Sequence, residues 1–152
     1  MDYGLYGAAF AALVLTACAN QSGGHMGLLT TTTPVVAIIG DELYTGESVS
    51  YIDGSGVMKI KSAANPAQEC SGDFRYESDR LGVGDMRCTG GANTTFQFRA
   101  LSTMTGYGFG RARTGDVSFT YGLTPEQAEP YLRMPTGKKL RQKNSSLMLS
   151  DS

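Results

Sequence analysis

The sequence predicts a mainly β protein, an antiparallel meander of hairpins with one short C-terminal helix, and three observations predict it. Short segments rich in Tyr, Phe, Val and Thr recur between residues 41 and 122, and Gly, Asn and Asp punctuate them. Apolar and polar residues alternate within them, as in Val57-Met58-Lys59-Ile60-Lys61 and Phe96-Gln97-Phe98-Arg99-Ala100, so one set of side chains enters a core and the other meets water. Twenty glycines against no tryptophan add many turns and a modest core.

Residues 5–17 form an apolar run without a charge, about the length of a signal-peptide core and short for a membrane span. From Ala19 to Thr33 the composition has few core-forming residues and no helical period, which reads as a tether. The apolar stretch 34–39 either begins the fold as a first strand or docks on a partner. Strands are expected near 42–51, 56–62, 70–76, 83–89, 94–101, 106–112 and 116–121. A short helix should start at residues 123–129, where Thr124 is an N-cap, Pro125 takes the first helical position and Glu126 lies in the first turn. Pro130 limits that helix, and Pro135 with Gly137 closes the ordered region. Lys138, Lys139, Arg141 and Lys143 then make a basic tail, a solvated end or a contact for anionic lipid or an acidic partner. The expected division is a signal peptide over 1–17, a modified N-terminus and linker over 18–40, a β domain over 41–132 and a basic flexible tail over 133–152.

A repeat of about 25 residues runs through the body. Thr45-Gly46-Glu47 is followed by Gly54-Ser55-Gly56-Val57, Ser71-Gly72-Asp73-Phe74 by Gly82-Val83-Gly84-Asp85, and Gly106-Tyr107-Gly108-Phe109-Gly110 closes the series. Each unit reads as one hairpin, with glycine where strands bend or approach closely. Over residues 41–122 this resembles MORN-type β-hairpin repeats and small exported bacterial β domains with a cysteine on each of two adjacent strands.

The apolar run ends in Leu15-Thr16-Ala17-Cys18. This tetrapeptide resembles the lipobox of bacterial lipoproteins, although no lysine or arginine precedes the run. The resemblance implies cleavage before Cys18, acylation of its thiol, and an anchor of two or three chains, which holds a membrane more lastingly than one. Ala19 implies outer-membrane rather than inner-membrane sorting on the periplasmic side of the envelope. The alternative is an uncleaved anchor helix or a buried helix.

Lipid on Cys18 would consume the odd cysteine and leave Cys70 and Cys88 as a disulfide pair, worth roughly 3 kcal/mol by loop closure. A two-thiol metal site would lack nearby histidines and C-x-x-C spacing, so neither metal nor cofactor is expected.

The single histidine, His25, lies in the tether, so no imidazole in the body activates a nucleophile. Glu47, Asp73 and Asp85 follow glycines at related repeat positions, where acids ordinarily serve turns or the solvent face. No phosphate loop or dinucleotide fingerprint occurs. Residues 41–132 carry twelve acidic and eight basic side chains without a basic cluster, which argues against nucleic-acid binding. The expectation is therefore a non-enzymatic, membrane-anchored lipoprotein serving as a structural or accessory subunit of an envelope membrane protein complex. Tyr107 and Phe109 are its candidate partner surface, unless they face the core. The alternative is a glycan- or small-ligand-binding module using Tyr44, Tyr51, Tyr76 and Tyr107.

Overall fold

Alternation with period two drives the chain into strands, and in the computed structural model, which describes residues 30–152, those strands follow one another as a meander. They are β1 (Thr30–Ile39), β2 (Glu42–Tyr51), β3 (Ser55–Ser62), β4 (Glu69–Tyr76), β5 (Leu81–Cys88), β6 (Asn93–Ala100), β7 (Gly106–Ala112) and β8 (Gly115–Tyr121). Each pairs antiparallel with the next, and β8 returns to β1 to close a barrel. The seven expected strands correspond to β2 through β8. Residues 34–39 do begin the fold, and their strand reaches back to Thr30, so the linker expected to run to residue 40 is shorter on its C-terminal side. The apolar run, Cys18 and His25 lie outside the described residues.

Pro34 fits within β1 because of where the β8 ladder stops. The last β1–β8 pair is Val35 with Tyr121, and the Pro34 carbonyl accepts from the Gly122 amide at 2.9 Å. The missing N–H of Pro34 therefore lies past the last ladder pair, at the end of the β1–β8 pairing and not within it.

Inward-facing positions build the core: Val35, Ala37 and Ile39 on β1, Met58 and Ile60 on β3, Phe96 and Phe98 on β6, and Val117, Phe119 and Tyr121 on β8. Their rings meet edge to face, with centroids 5.1 Å apart for Phe96 and Phe119 and 4.9 Å for Tyr76 and Phe98. Such pairs each add about 0.5–1.5 kcal/mol beyond area burial. The repeating glycines explain how so many rings fit. Gly56, Gly82, Gly84, Gly106 and Gly108 point inward, opposite Phe74, Phe98, Phe96, Tyr121 and Phe119 respectively. In every case a Cβ would overlap the facing ring. The repeat thus alternates bare backbone with aromatic bulk on successive strands.

Cys70 and Cys88 face each other across β4 and β5 and form a disulfide with Cα atoms 3.9 Å apart. Both belong to the interior, and Cys70 is fully buried.

The C-terminal segment packs outside the barrel. Helix α1 (Pro125–Ala128) starts as expected, with Thr124 and Gln127 forming a reciprocal capping box, and a 3-10 turn at Glu129–Tyr131 follows it. Residues 133–152, expected as a flexible tail, instead include the hairpin β9 (Lys138–Lys143) and β10 (Ser146–Asp151). Asn144 and Ser145 turn it with φ of 47° and 65°, the two positive values that a two-residue hairpin turn of type I′ requires. The physical reason for order is a second apolar layer. Val36, Ile38 and Leu43 point out of the barrel and are covered by Ala128, Leu132, Leu140, Leu147 and Leu149. This explains why residues 35–39 are buried on both faces.

Candidate binding surfaces

Closure leaves three places where a ligand or partner could be met: the interior, the outer wall and the two ends. The interior is nearly filled. The cavity between Ser48, Met58, Phe74, Phe98 and Tyr121 measures about 20 Å³, room for about one water. The outer wall is charged at mid-strand, with Lys59, Asp73, Arg75, Asp85, Arg87 and Arg99 all exposed. A barrel crossing a bilayer carries an apolar band there, so this wall meets water. Among the described residues no helix is long and apolar enough to cross a membrane.

Against this charged wall stands one aromatic group. Because Gly106, Gly108 and Gly110 occupy the inward positions of β7, Tyr107 and Phe109 project outward. Their rings meet edge to face at 5.6 Å, and Tyr131 from the 3-10 turn stacks on Tyr107 at 4.6 Å with an interplanar angle of 26°. Arg133 places its guanidinium 5.6 Å from the Phe109 centroid and pairs with Asp116, which also receives Arg111 at 3.2 Å. The hydrogen bonds from Arg133 and then Arg111 hold the Asp116 carboxyl below its usual range. Phe109 stays 40% exposed. The two aromatics are therefore not core residues; the rings of Phe119 and Tyr121 occupy the glycine side instead. Tyr131 and Arg133 were not expected in this group, because only the course of the chain beyond β8 brings them over β7.

One end of the barrel is an open concavity of about 880 Å³. Thr31, Tyr51, Ile52, Tyr76, Arg80 and Leu101 are among the residues that line it. The Tyr76 and Tyr121 hydroxyls meet at 3.1 Å. Burial, then this contact, pushes the Tyr121 hydroxyl above the ordinary tyrosine range, so Tyr121 keeps its proton. At the other end Glu42 accepts from Ser62 at 2.6 Å and from Tyr44 at 3.2 Å. The four tyrosines considered for a ligand therefore do not converge: Tyr51 and Tyr76 line the mouth, Tyr44 is buried toward the opposite end and Tyr107 stands on the wall.

The three carboxylates singled out by the repeat lie within strands and not in turns. Asp73 faces Asp85 directly across β4 and β5, whereas Glu47 faces Lys59 across β2 and β3. Asp73 and Asp85 share the solvent face with Arg75 and Arg87. Among the described residues no group of three or more His, Cys, Asp or Glu could hold a metal ion. Comparison of the chain with protein-family models, with curated proteins and with solved structures found no match.

Proposed function

We propose that this protein is a lipid-anchored accessory subunit of the bacterial envelope that binds a membrane protein complex through the outer wall of its barrel. The carrying observation is the Tyr131–Tyr107–Phe109 stack beside Arg133, an aromatic and arginine group on a wall whose exposed mid-strand positions are largely charged. Tyr and Arg are the residue types that concentrate binding energy at protein interfaces. The lipobox-like Leu15-Thr16-Ala17-Cys18 supports the anchor, and Ala19 supports periplasmic exposure at the outer membrane. The interior supports a binding role at the surface, since a filled barrel has no room for a substrate.

A photo-reactive amino acid at Phe109, in the full chain in native membranes, tests the reading. A discrete crosslinked product from position 109, missing from the charged-wall position Lys59, is expected. Equal crosslinking at both, or none at 109, would count against it.

A second reading, a glycan- or small-ligand-binding module, is favoured by the mouth, where Tyr51 and Tyr76 flank an open concavity. Saturable chemical-shift changes confined to those two tyrosines on titration with envelope glycans would support it over the first.

A further inference from the structure

The exposed large apolar side chains are distributed unequally between the two ends of the barrel. At the open end stand Ile52 on the β2–β3 turn, 78% exposed, Leu101 and Met104 on the β6–β7 turn, and Leu81 at the start of β5. The turns of the opposite end comprise residues 40–41, 63–68, 89–92 and 113–114, and none of them contains a large apolar side chain. A hairpin turn gains nothing in water from an exposed isoleucine, and these side chains on the β2–β3 and β6–β7 turns of one rim, with Leu81 beside them, have no cover among the described residues.

The chain enters the barrel at this same end. Thr30, the first residue of β1, pairs with Tyr51, next to Ile52. The eleven residues 19–29 separate it from Cys18. Whatever their conformation, they span at most about 40 Å. An acyl anchor on Cys18 thus brings the open end to the bilayer by the shortest path, whereas the opposite end would require the tether to run back along the barrel.

We propose that the open end rests on the lipid surface to which the chain is anchored, with Ile52, Leu101 and Met104 entering the headgroup region. This rests on the lipoprotein reading, because it takes Cys18 as acylated. The charges at this end are mixed, with Asp53, Glu77 and Asp79 alongside Arg80, so apolar burial and not attraction to anionic lipid drives the seating. Salt should therefore have little effect on it. The seating sets the barrel wall upright on the membrane, with Tyr107 and Phe109 facing sideways toward a partner in the same bilayer.

The absence of tryptophan from the chain makes the test clean. Full-length Ile52→Trp and Ala64→Trp, the latter at the opposite end, would be extracted from membranes and reconstituted in phosphatidylcholine vesicles with acyl chains brominated near the headgroup. Tryptophan at 52 should be quenched at least about twofold more than at 64, with little change at high salt, since interfacial side chains reach about 5–10 Å into that region. Met104→Trp provides a second reporter on the same rim and decides the matter should the first variant fail to fold. Equal quenching at both ends, or none at the rim, would overturn the seating. Intact mass of the same samples separates the two ideas: an acylated Cys18 with an unquenched rim defeats the seating alone, and an unmodified Cys18 defeats the anchor and the seating together.

Discussion

Gly108 lies directly beneath the ring of Phe119, its partner across the β7–β8 ladder, and the two fill one slot of the barrel interior between them. A Cβ on Gly108 would also stand 2.5 Å from the Gln97 carbonyl oxygen on the other neighbouring strand, so backbone holds the position on one side and a packed ring on the other.

Gly108→Ala is therefore expected to destabilise by about 1–3 kcal/mol, the usual cost of overpacking, outweighing the entropy that alanine saves in the unfolded chain. Urea denaturation followed by far-ultraviolet circular dichroism measures it. Phe119→Leu should recover part of the loss in the Gly108→Ala background while destabilising the parent, and simple additivity would refute the packing account.

The disulfide staples β4 to β5 beside the filled core. Its bridged cysteines are 18 apart in sequence. Replacing both with alanine, the choice suited to an apolar interior, should cost about 3 kcal/mol by loop-closure entropy. The urea midpoint of the double variant should match that of the reduced parent. A loss well under about 1 kcal/mol would show that the denatured chain is already compact there.

Asp116 sets a pH dependence. Its folded-state pKa lies below that of the unfolded chain, mainly through the hydrogen bond from Arg133, so the pairing stabilises in full above the ordinary aspartate value of about 3.9. That contribution is lost as pH falls through the lowered value. Glu69, held down chiefly by its bond with Lys59, and Asp151, held down by Lys138, act in the same direction. Asp116→Asn should leave a shallower acid slope in urea midpoints measured between neutral pH and about pH 3. It should also loosen Arg133 from its place over Phe109, visible as a changed environment of the Phe109 ring in proton spectra.

Deleting residues 138–152 should uncover Val36, Ile38 and Leu43 on the outside of the barrel. We expect a loss of at least about 2 kcal/mol and new binding of a hydrophobic dye, whereas removal of a solvated tail would change neither. Lys138→Ala, which removes only the exposed pairing with Asp151 at 2.7 Å, should cost well under about 1 kcal/mol.

The strands were legible because their signals are local. Met58 and Ile60 alternate with Val57, Lys59 and Lys61, and paired glycines mark where second strands of hairpins begin. Barrel closure was not, because it depends on Val35 meeting Tyr121 across most of the described chain, and a residue's neighbours in sequence carry no sign of that pairing. The C-terminal hairpin was hidden for another reason. Its turn is Asn144-Ser145 in place of the stronger Asn-Gly signal, and Lys138, Lys139, Arg141 and Lys143 outweigh the sparse leucines that dock it. The outward direction of Tyr107 and Phe109 follows from the alternation with glycine, but which face of β7 was inside depended on where Phe119 and Tyr121 would lie.

Closure of β1 on β8 also governs how recognition can work. All eight barrel strands have neighbours on both sides, so the barrel offers little main chain that an added strand from another protein could zip onto, or that could template its own aggregation. Among the described residues, the strand margins left unpaired by another strand are the outer margins of β9 and β10 and the β8 side of residues 30–33, beyond the last β1–β8 pair. Under the proposed function, a protein that engages the barrel wall is selected mainly by side chains, through the shapes and charges of Tyr107, Phe109 and Arg133, and its specificity can be altered by point substitution without disturbing the backbone that presents them.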